Sequence, residues 1–419
     1  MAEKIGTNVH LDIFESKDFS LPGPIGCNKC GGIISESLVQ ILATEGINLP
    51  STVVQRGLDS YILHMDMGTV RIDTPLHEKR IAAVHRGSGP RGTKETKWLS
   101  FDGYLQGLAI SKGAHLIHGR VEEVKWKDGR PQLKTRHSEP KTYDLLVVAT
   151  GLNVASLKLF EGLGLRYKPP QTTRAFVCEL YLGEETVTKY FGSSMHVFLI
   201  DIPRLKFAAL IPKGNCVTLC LLGKDIDKPL IQSFLDTPGV KQCFPPDWEM
   251  PKDSCNCYPL MNIGGAAEPF SNRVVFIGDS GVTRLYKDGI GAAHRTAKAA
   301  AKTVLFEGVS AEDFHKYYWP TCRAITSDNN IGKVIFNAIH LIQKIRPARR
   351  GVLRMVSTEQ QKKGAKRRMS SVLWDTFTGS APYRGIFLSI LHPLFLQKLL
   401  RNTIAGIRSN NFLKRQEAE

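Results

Sequence analysis

The chain has 419 residues, 42% of them apolar and 23% charged, which is enough for two or three structural units and excludes a disordered polymer. The formal charge of +17 is concentrated at one end: Ile331 to Glu419 hold 17 Lys and Arg against four Asp and Glu, whereas the first 330 residues net +4. No run of 18 apolar residues occurs, which argues against a membrane-spanning helix, and MAEKIGTNVH lacks an export signal, so the nine cysteines are expected to be reduced thiols, ligands or redox groups in a cytoplasmic protein.

In chain order, VHLDIF at 9–14 reads as a short strand ending on Glu15, which is either a ligand at a strand end or only its polar terminus. A turn-rich stretch, LPGPIGCNKCGG, leads to IISESLVQILATEG, whose apolar spacing predicts a helix stopping at Gly46. SYILHMDM, VRI and RIAAVHR are strand-like. GSGPRGTKETK is a loop, and FDGYLQGLAISKGA is helical. Strands and turns follow, up to the buried run DLLVVATG. RAFVCELYL, HVFLIDI, KFAALIP and CVTLCLLG predict an antiparallel sheet, after which RVVFIGDSG returns to a buried strand and AAHRTAKAAAKTVLFEG to a helix. The order is a nucleotide fold, an inserted sheet domain, and a return to the first fold.

The richest segment is RVVFIGDSGVTRLYKDGIGAAHRTAKAAA. A strand ends at Gly278 and Asp279, and Asp288-Gly289-Ile290-Gly291 opens a helix whose first amides have no intrahelical partner. Such amides and the helix dipole favour an anion, while the carboxylate accepts hydrogen bonds from polyol hydroxyls. A plain strand, turn and capped helix is the alternative. One glycine fingerprint occurs, Gly87-Ser88-Gly89-Pro90-Arg91-Gly92, but TKETKWLS separates it from the next helix, so a surface turn competes with a dinucleotide loop.

Together with DLLVVATGLN, this segment resembles the second flavin motif of FAD-dependent oxidoreductases of the para-hydroxybenzoate hydroxylase fold. KCGGIISESLVQIL resembles the Cys-Gly-Gly segment of the geranylgeranyl reductase family, and FAALIPKGNCVTLCLLG and LWDTFTGSAPYRGIFLSILHP resemble its substrate-domain strand pair and tail. The resemblance implies an α/β fold: a Rossmann-like three-layer FAD domain (1–50, 78–168, 262–330) interrupted by an antiparallel-sheet substrate domain (51–77, 169–261), with a basic helical segment at 331–419. The family's glycine-rich strand-turn-helix would fall before residue 1. Residue by residue, it implies that Asp279, after Gly278, binds the ribityl chain and that Gly289, Ile290 and Gly291 face the pyrimidine edge and pyrophosphate. Glu15 would hold the adenosine ribose, Val121 would touch adenine, and Gly151 would pass close to the cofactor. Arg86 or Arg91 would lie near the phosphates, and Cys30, Gly31 and Gly32 beside the isoalloxazine, with Cys30 the catalytic candidate. Two departures concern the substrate: Arg284-Leu285-Tyr286-Lys287 stands where relatives carry a proline, and the tryptophan before the IPKG-like turn is absent.

Cys27 and Cys30, and Cys255 and Cys257, have metal-ligand or redox-pair spacing, against the alternative of buried thiols. In the tail, Ile331, Val334, Ile335, Ala338, Ile339, Ile342 and Ile345 recur at helical spacing with Lys333, Lys344, Arg346, Arg349 and Arg350 around them. A basic run (Lys362, Lys363, Lys366, Arg367, Arg368) precedes GIFLSILHPLFLQKLL. This pattern suits a membrane interface or a helix packed on the protein's own core. The expected function is an FAD-dependent reductase of carbon–carbon double bonds in an isoprenoid or other hydrophobic substrate at a membrane surface, fed by an unnamed electron donor. Nucleic acid is not an expected partner. The alternatives are a flavin monooxygenase on the same fold and a cofactor-poor lipid- or nucleic-acid-binding protein.

Overall fold

Two parallel strand pairs carry the nucleotide-type fold. β1 (Asp12–Glu15) runs beside β7 (His115–His118), and β11 (Leu146–Val148) beside β19 (Val274–Phe276), which β18 (Phe270–Ser271) extends antiparallel. The computed structural model describes residues 9–74, 81–92, 97–361 and 366–416, with side chains as far as Ile407, so Lys362 and Lys363 lie outside the described residues. β19 is buried throughout, as its continuous apolar run predicts, and Tyr167 stacks on Phe276. A meander of β8 (Val121–Lys127), β9 (Arg130–Thr135) and β10 (Lys141–Thr142) stands beside these pairs.

Next comes a small sheet of β2 (Ile33–Ile34), β6 (Ile81–Ala83) and β3 (Arg56–Leu58), covered by α1 (Glu36–Thr44) and α2 (Phe101–Ser111). Both helices begin on a serine: Ser35 Oγ accepts from Leu38 N at 3.4 Å and Ser100 Oγ from Gly103 N at 3.1 Å. Gly46, at φ 81°, follows the end of α1 where the sequence places the stop.

The large sheet draws β4 (Ser60–Met65) and β5 (Gly68–Asp73) together with β12 (Gln171–Tyr181), β13 (Ser194–Phe198), β14 (Leu205–Pro212), β15 (Cys216–Gly223), β16 (Cys255–Cys257) and β17 (Leu260–Gly264). Its pairings are antiparallel except β13 with β4, which run parallel, an arrangement that the long stretch of chain between them permits. Strand alternation gives it two apolar faces. Phe176, Leu180, Leu210, Leu219 and Leu221 bury against the short helices Glu184–Phe191 and Lys228–Leu235, and Phe207, Ala209, Ile211 and Leu222 face the other way.

That second face is covered by the tail. α3 (Gly289–Phe306) belongs to the nucleotide fold, and α4 (Trp319–Lys344) runs unbroken across residue 331, so the tail does not begin there. α5 (Arg346–Gln361), α6 (Arg368–Thr378), α7 (Tyr383–Ile390) and α8 (Pro393–Gln416) follow, with the break at His392-Pro393 that the sequence predicts. Ile335, Phe336, Met355, Trp374, Phe377 and Tyr383 join the sheet residues in one core, and Trp374 stacks on Tyr61 at 5.7 Å. The helices' inner faces are therefore core. Arg349, grouped by the sequence with the tail's cations, is buried: it pairs with Asp66 at 2.9 Å and Asp201 at 3.7 Å, because the start of α5 lies over the ends of β4 and β13. Glu359 accepts from Met369 N and Ser370 N and thereby caps α6.

Trp374→Ala is expected to cost ~3–5 kcal/mol in urea unfolding, as for other buried aromatic truncations. Trp374→Phe is expected to cost far less, because Trp374 Nε1 is buried without a partner among the described residues. A loss under about 1 kcal/mol for the alanine variant contradicts a tail that is part of the cooperative core.

Candidate functional site

β19 delivers Gly278 and Asp279 to the site. Gly278, at φ 60°, donates its N–H to Thr296 Oγ1 at 2.9 Å, and a Cβ there would lie 3.2 Å from Ala293 Cβ, so α3 is packed directly onto the turn. Asp279 is exposed to the groove; desolvation by its surroundings raises its carboxyl pKa, while Thr283 and Arg86 pull it down. α3 opens on Asp288, a left-handed residue (φ 54°) that makes no side-chain cap. Its carboxylate pairs instead with Arg295 at 3.1 Å and Arg284 at 3.7 Å. A Cβ on Gly291 would fall 2.2 Å from Asp288 Oδ1, and one on Gly289 3.9 Å from Asp279 Oδ1. The helix start at Gly289, Ile290 and Gly291 thus lies beside Asp279 with its positive end uncapped.

The facing wall is the Cys27–Gly32 turn. Gly32, at φ 72°, has no room for a side chain, since a Cβ would lie 2.0 Å from Val84 O, and one on Gly31 would lie 3.2 Å from Cys220 Sγ and Ile211 Cδ1. The turn is pressed flat between β6 and the large sheet. Lys17 Nζ holds it by donating to Cys27 O at 2.5 Å and Asn28 Oδ1 at 2.6 Å. Asp102 binds the Asn28 amide and, at 2.5 Å, Arg86 Nε. Arg86 also hydrogen-bonds Cys30, whose Sγ accepts from Gly32 N at 3.4 Å. Burial opposes the Arg86 charge, but Asp102 and Cys30 outweigh it, so its pKa is raised.

The structure therefore brings together Cys30, Gly31, Gly32, Arg86, Asp279 and the start of α3. Glu15 ends β1, takes Lys17 N on Oε1 at 2.8 Å, and is tied to the Cys27 turn through the Lys17 side chain. Val121 begins β8 and is partly buried. Gly151, at φ 60°, faces open space beyond β11, whose Val148 carbonyl accepts from Ser280 Oγ at 2.9 Å. Arg91 lies apart from Arg86, in a recess of about 190 Å³ with Pro24, Asp253, Ser254, Cys255 and Asn256. The GSGPRG stretch is a turn: Gly87 packs on Gly26, and the next helix starts only at Phe101.

The cysteines are all free. Cys255 lies opposite Glu179 in the sheet and Cys257 opposite Val177. Among the described residues, Cys27, Cys30, Cys255 and Cys257 are not one of the groups whose ligand atoms converge within 4.8 Å; those groups are His85, Glu179, Cys216 and His64, His196, Cys243.

Sequence reasoning missed the first of these groups, which lies directly behind the Cys-Gly-Gly turn. Lys213 Nζ donates to Glu179 Oε1 at 2.8 Å and meets His85 Nδ1 at 3.1 Å; Thr218 Oγ1 donates to Glu179 Oε2 at 2.9 Å. The one signal was Glu179 inside the apolar strand RAFVCELYL. It also missed Lys287, whose Nζ lies 4.5 Å from the Phe207 ring centre and 5.6 Å from that of Phe377. Burial pulls the Lys287 ammonium down to about 8, and Cys220 pushes it up. Arg284, one of the sequence's departures from the pattern it resembles, is buried. It donates to Gly379 O at 2.8 Å and lies 4.4 Å from the Tyr383 ring centre, clamping the tail onto the loop.

These residues fit a flavin dinucleotide: an uncapped helix start, an adjacent carboxylate, and two glycines that leave a flat wall without side chains. Lys213→Met is expected to cost ~3–5 kcal/mol by stranding buried Glu179, and adding Glu179→Gln is expected to recover most of it in urea unfolding. His85, pushed down to about 3 by burial and then by Lys213, refuses a proton that the unfolded chain takes up below its ordinary 6.5. Stability is thus fully present above pH 6.5 and is lost as pH falls toward 3, by about 2 kcal/mol at pH 5. Urea midpoints that do not fall between pH 6.5 and 5, or that fall equally in His85→Gln, contradict the buried neutral imidazole.

No family model matches the chain, and no curated protein matches it. Solved structures do. A geranylgeranyl bacteriochlorophyll reductase-like protein from Thermoplasma acidophilum matches at TM-score 0.61 and 12% identity, over 93% of this chain and 92% of that one. A flavoprotein/dehydrogenase from Cytophaga hutchinsonii matches at TM-score 0.59 and 12% identity, over 96% and 95%. A mutant of the halogenase PltM in complex with FAD matches at TM-score 0.54 and 12% identity, over 96% and 87%. At these identities the likeness is one of fold, and the chain has the α/β fold of these flavin-dependent proteins.

Proposed function

We propose that the chain binds FAD between the Cys-Gly-Gly turn and the start of α3 and works as a reductase of carbon–carbon double bonds in an isoprenoid or other hydrophobic substrate at a membrane surface. The observation that carries the reading is one juxtaposition. The sheet face meeting Gly31 offers an apolar wall of Ile211 and Phe207, and Phe377 and a single ammonium, Lys287, lie against that wall two residues before Gly289. The reductase-like protein, which matches along nearly the whole chain, supports the same reading.

When bound and reduced, FAD supplies a hydride. Everything else falls to the chain. Asp279 accepts hydrogen bonds from polyol hydroxyls, the amides of Gly289, Ile290 and Gly291 face the anionic ring edge and pyrophosphate, and Glu15 accepts from ribose hydroxyls. Gly151 leaves room for close approach, Val121 offers an apolar surface, and Arg86, already paired with Asp102, fixes the wall more than it neutralises phosphate. Phe207 and Phe377 exclude water from the reacting end of an apolar chain. Lys287 holds a proton at Nζ, and its lowered pKa suits donation to the carbon beside the one that receives hydride. Cys30 is the other proton carrier at this wall.

The tail supports the membrane part of the reading. Leu388, Leu391, Leu394, Leu400 and Ile404 are exposed, with Arg384, Lys398 and Arg401 among them, a pattern of apolar anchors and cations suited to an anionic lipid surface. No described helix is long and apolar enough to cross a membrane.

The test is anaerobic turnover of a polyprenyl lipid in anionic vesicles, with chemically reduced FAD as electron source. Saturation without oxygen is expected. A strict oxygen requirement favours the second reading, a flavin monooxygenase, for which the halogenase and oxygenase matches speak. A chain that stays colourless with added FAD defeats both. Lys287→Met is expected to lower kcat by ~10²-fold or more, to abolish the fall in rate as pH rises through about 8, and to leave FAD binding intact. Retention of that alkaline limb in the variant contradicts the role given to Lys287.

A further inference from the structure

We propose that His64, His196 and Cys243 form a binding site for one zinc-class cation inside the inserted sheet unit, on the sheet face away from the flavin groove. The proposal does not rest on the flavin reading. His64 lies on β4 and His196 on its parallel neighbour β13, and Cys243 follows the short helix Pro238–Lys241 that covers this face. His64 Nε2 lies 3.0 Å from His196 Nδ1, and Cys243 Sγ lies 3.2 Å from the same Nδ1. All three residues are buried. The imidazole centres are 5.0 Å apart, with the ring planes 24° from parallel.

Two neutral imidazoles and a thiol are a costly filling for an apolar core. His64 Nδ1 and His196 Nε2 have no partner among the described residues, and Phe198, Phe191 and Phe244 surround the group. A phenylalanine or leucine at each position would avoid that cost. The donor set is what zinc-class cations use, two imidazole nitrogens and one sulfur. Tetrahedral zinc at ~2.0–2.1 Å from nitrogen and ~2.3 Å from sulfur needs donor atoms roughly 3.3–3.7 Å apart. The 3.0 and 3.2 Å separations to His196 Nδ1 require an opening of only a few tenths of an ångström, and the three donor atoms lie within 4.8 Å of one another. His64 Nε2 and Cys243 Sγ both point at His196 Nδ1, so the donor atoms already converge on the place a cation would take. Binding would exchange the Cys243 thiol proton for the metal and release it to solvent.

The other converging group sets the contrast. In His85, Glu179 and Cys216 the cation is already present, because the Lys213 ammonium lies within 3.1 Å of both the carboxylate and the imidazole. Among the described residues no ammonium or guanidinium bonds to His64, His196 or Cys243, whose Sγ also donates to Gly239 O at 3.3 Å. A bound metal there would tie β4 and β13 to the segment after residue 238, which is otherwise held to the sheet through Val240, Cys243 and Phe244 in the apolar core.

The test is titration of metal-free full-length protein with cobalt(II). The expected result is a near-ultraviolet thiolate-to-cobalt charge-transfer band that saturates at one equivalent and is removed by zinc. The band should be absent in Cys243→Ser and in His196→Phe, and retained in Cys27→Ser/Cys30→Ser. Zinc should also raise the Tm of the parent chain and leave that of Cys243→Ser unchanged. A folded chain, verified by circular dichroism, that gives no such band overturns the proposal. A band that survives Cys243→Ser overturns it equally, since the other thiols would then hold the cobalt.

Discussion

The flat turn at Gly31 and Gly32 is the constraint on which the rest of the site depends. With hydrogen in place of two side chains, it fits between Val84 on one side and Cys220 and Ile211 on the other. This contact joins the nucleotide-type fold to the large sheet, and it leaves a surface against which a planar ring can lie. Everything around it holds it in place. Lys17 and Asn28 fix its start, the Arg86–Asp102 pair fixes Cys30, and the Lys213–Glu179 pair backs it with a fully satisfied buried charge. Buried ion pairs add little net stability, but losing one member is costly, so these pairs act mainly to allow a single arrangement of the turn.

The second joint lies at the other wall. Arg284 reaches from the loop after Asp279 into the tail, and the Tyr383 hydroxyl donates back to Leu285 O. The start of α3 is thereby positioned by helices far along the chain, and the tail is structural on its inner side. Its outer side keeps the exposed leucines and cations, so one set of helices builds the core with one face and leaves the other exposed.

Much of this was legible in the sequence because it rests on local signals. The run RVVFIGDSG gave a buried strand and a turn, apolar spacing gave α1 with its stop at Gly46, and His392-Pro393 gave the break between α7 and α8. Cys30, Gly31, Gly32, Asp279 and Gly289 to Gly291 were found from motifs and meet in space. What stayed hidden depends on distant pairings. The parallel pairing of β13 with β4 carries no local mark, and it alone brings His64 to His196. Lys213 reads as a turn lysine and Arg349 as a surface cation until their partners, Glu179 and Asp66, arrive from other strands. Between Arg86 and Arg91, only packing distinguishes the inner residue from the one at the rim.

The central claim is that a flavin occupies the space between the Cys-Gly-Gly turn and the start of α3. Amide hydrogen exchange of the full-length chain with and without FAD tests it most directly. The account predicts slowed exchange at residues 30–32 and 289–292 on adding FAD, with little change in the short helices of the sheet unit. Unchanged exchange at both segments under saturating FAD, or protection confined to the tail, would contradict it.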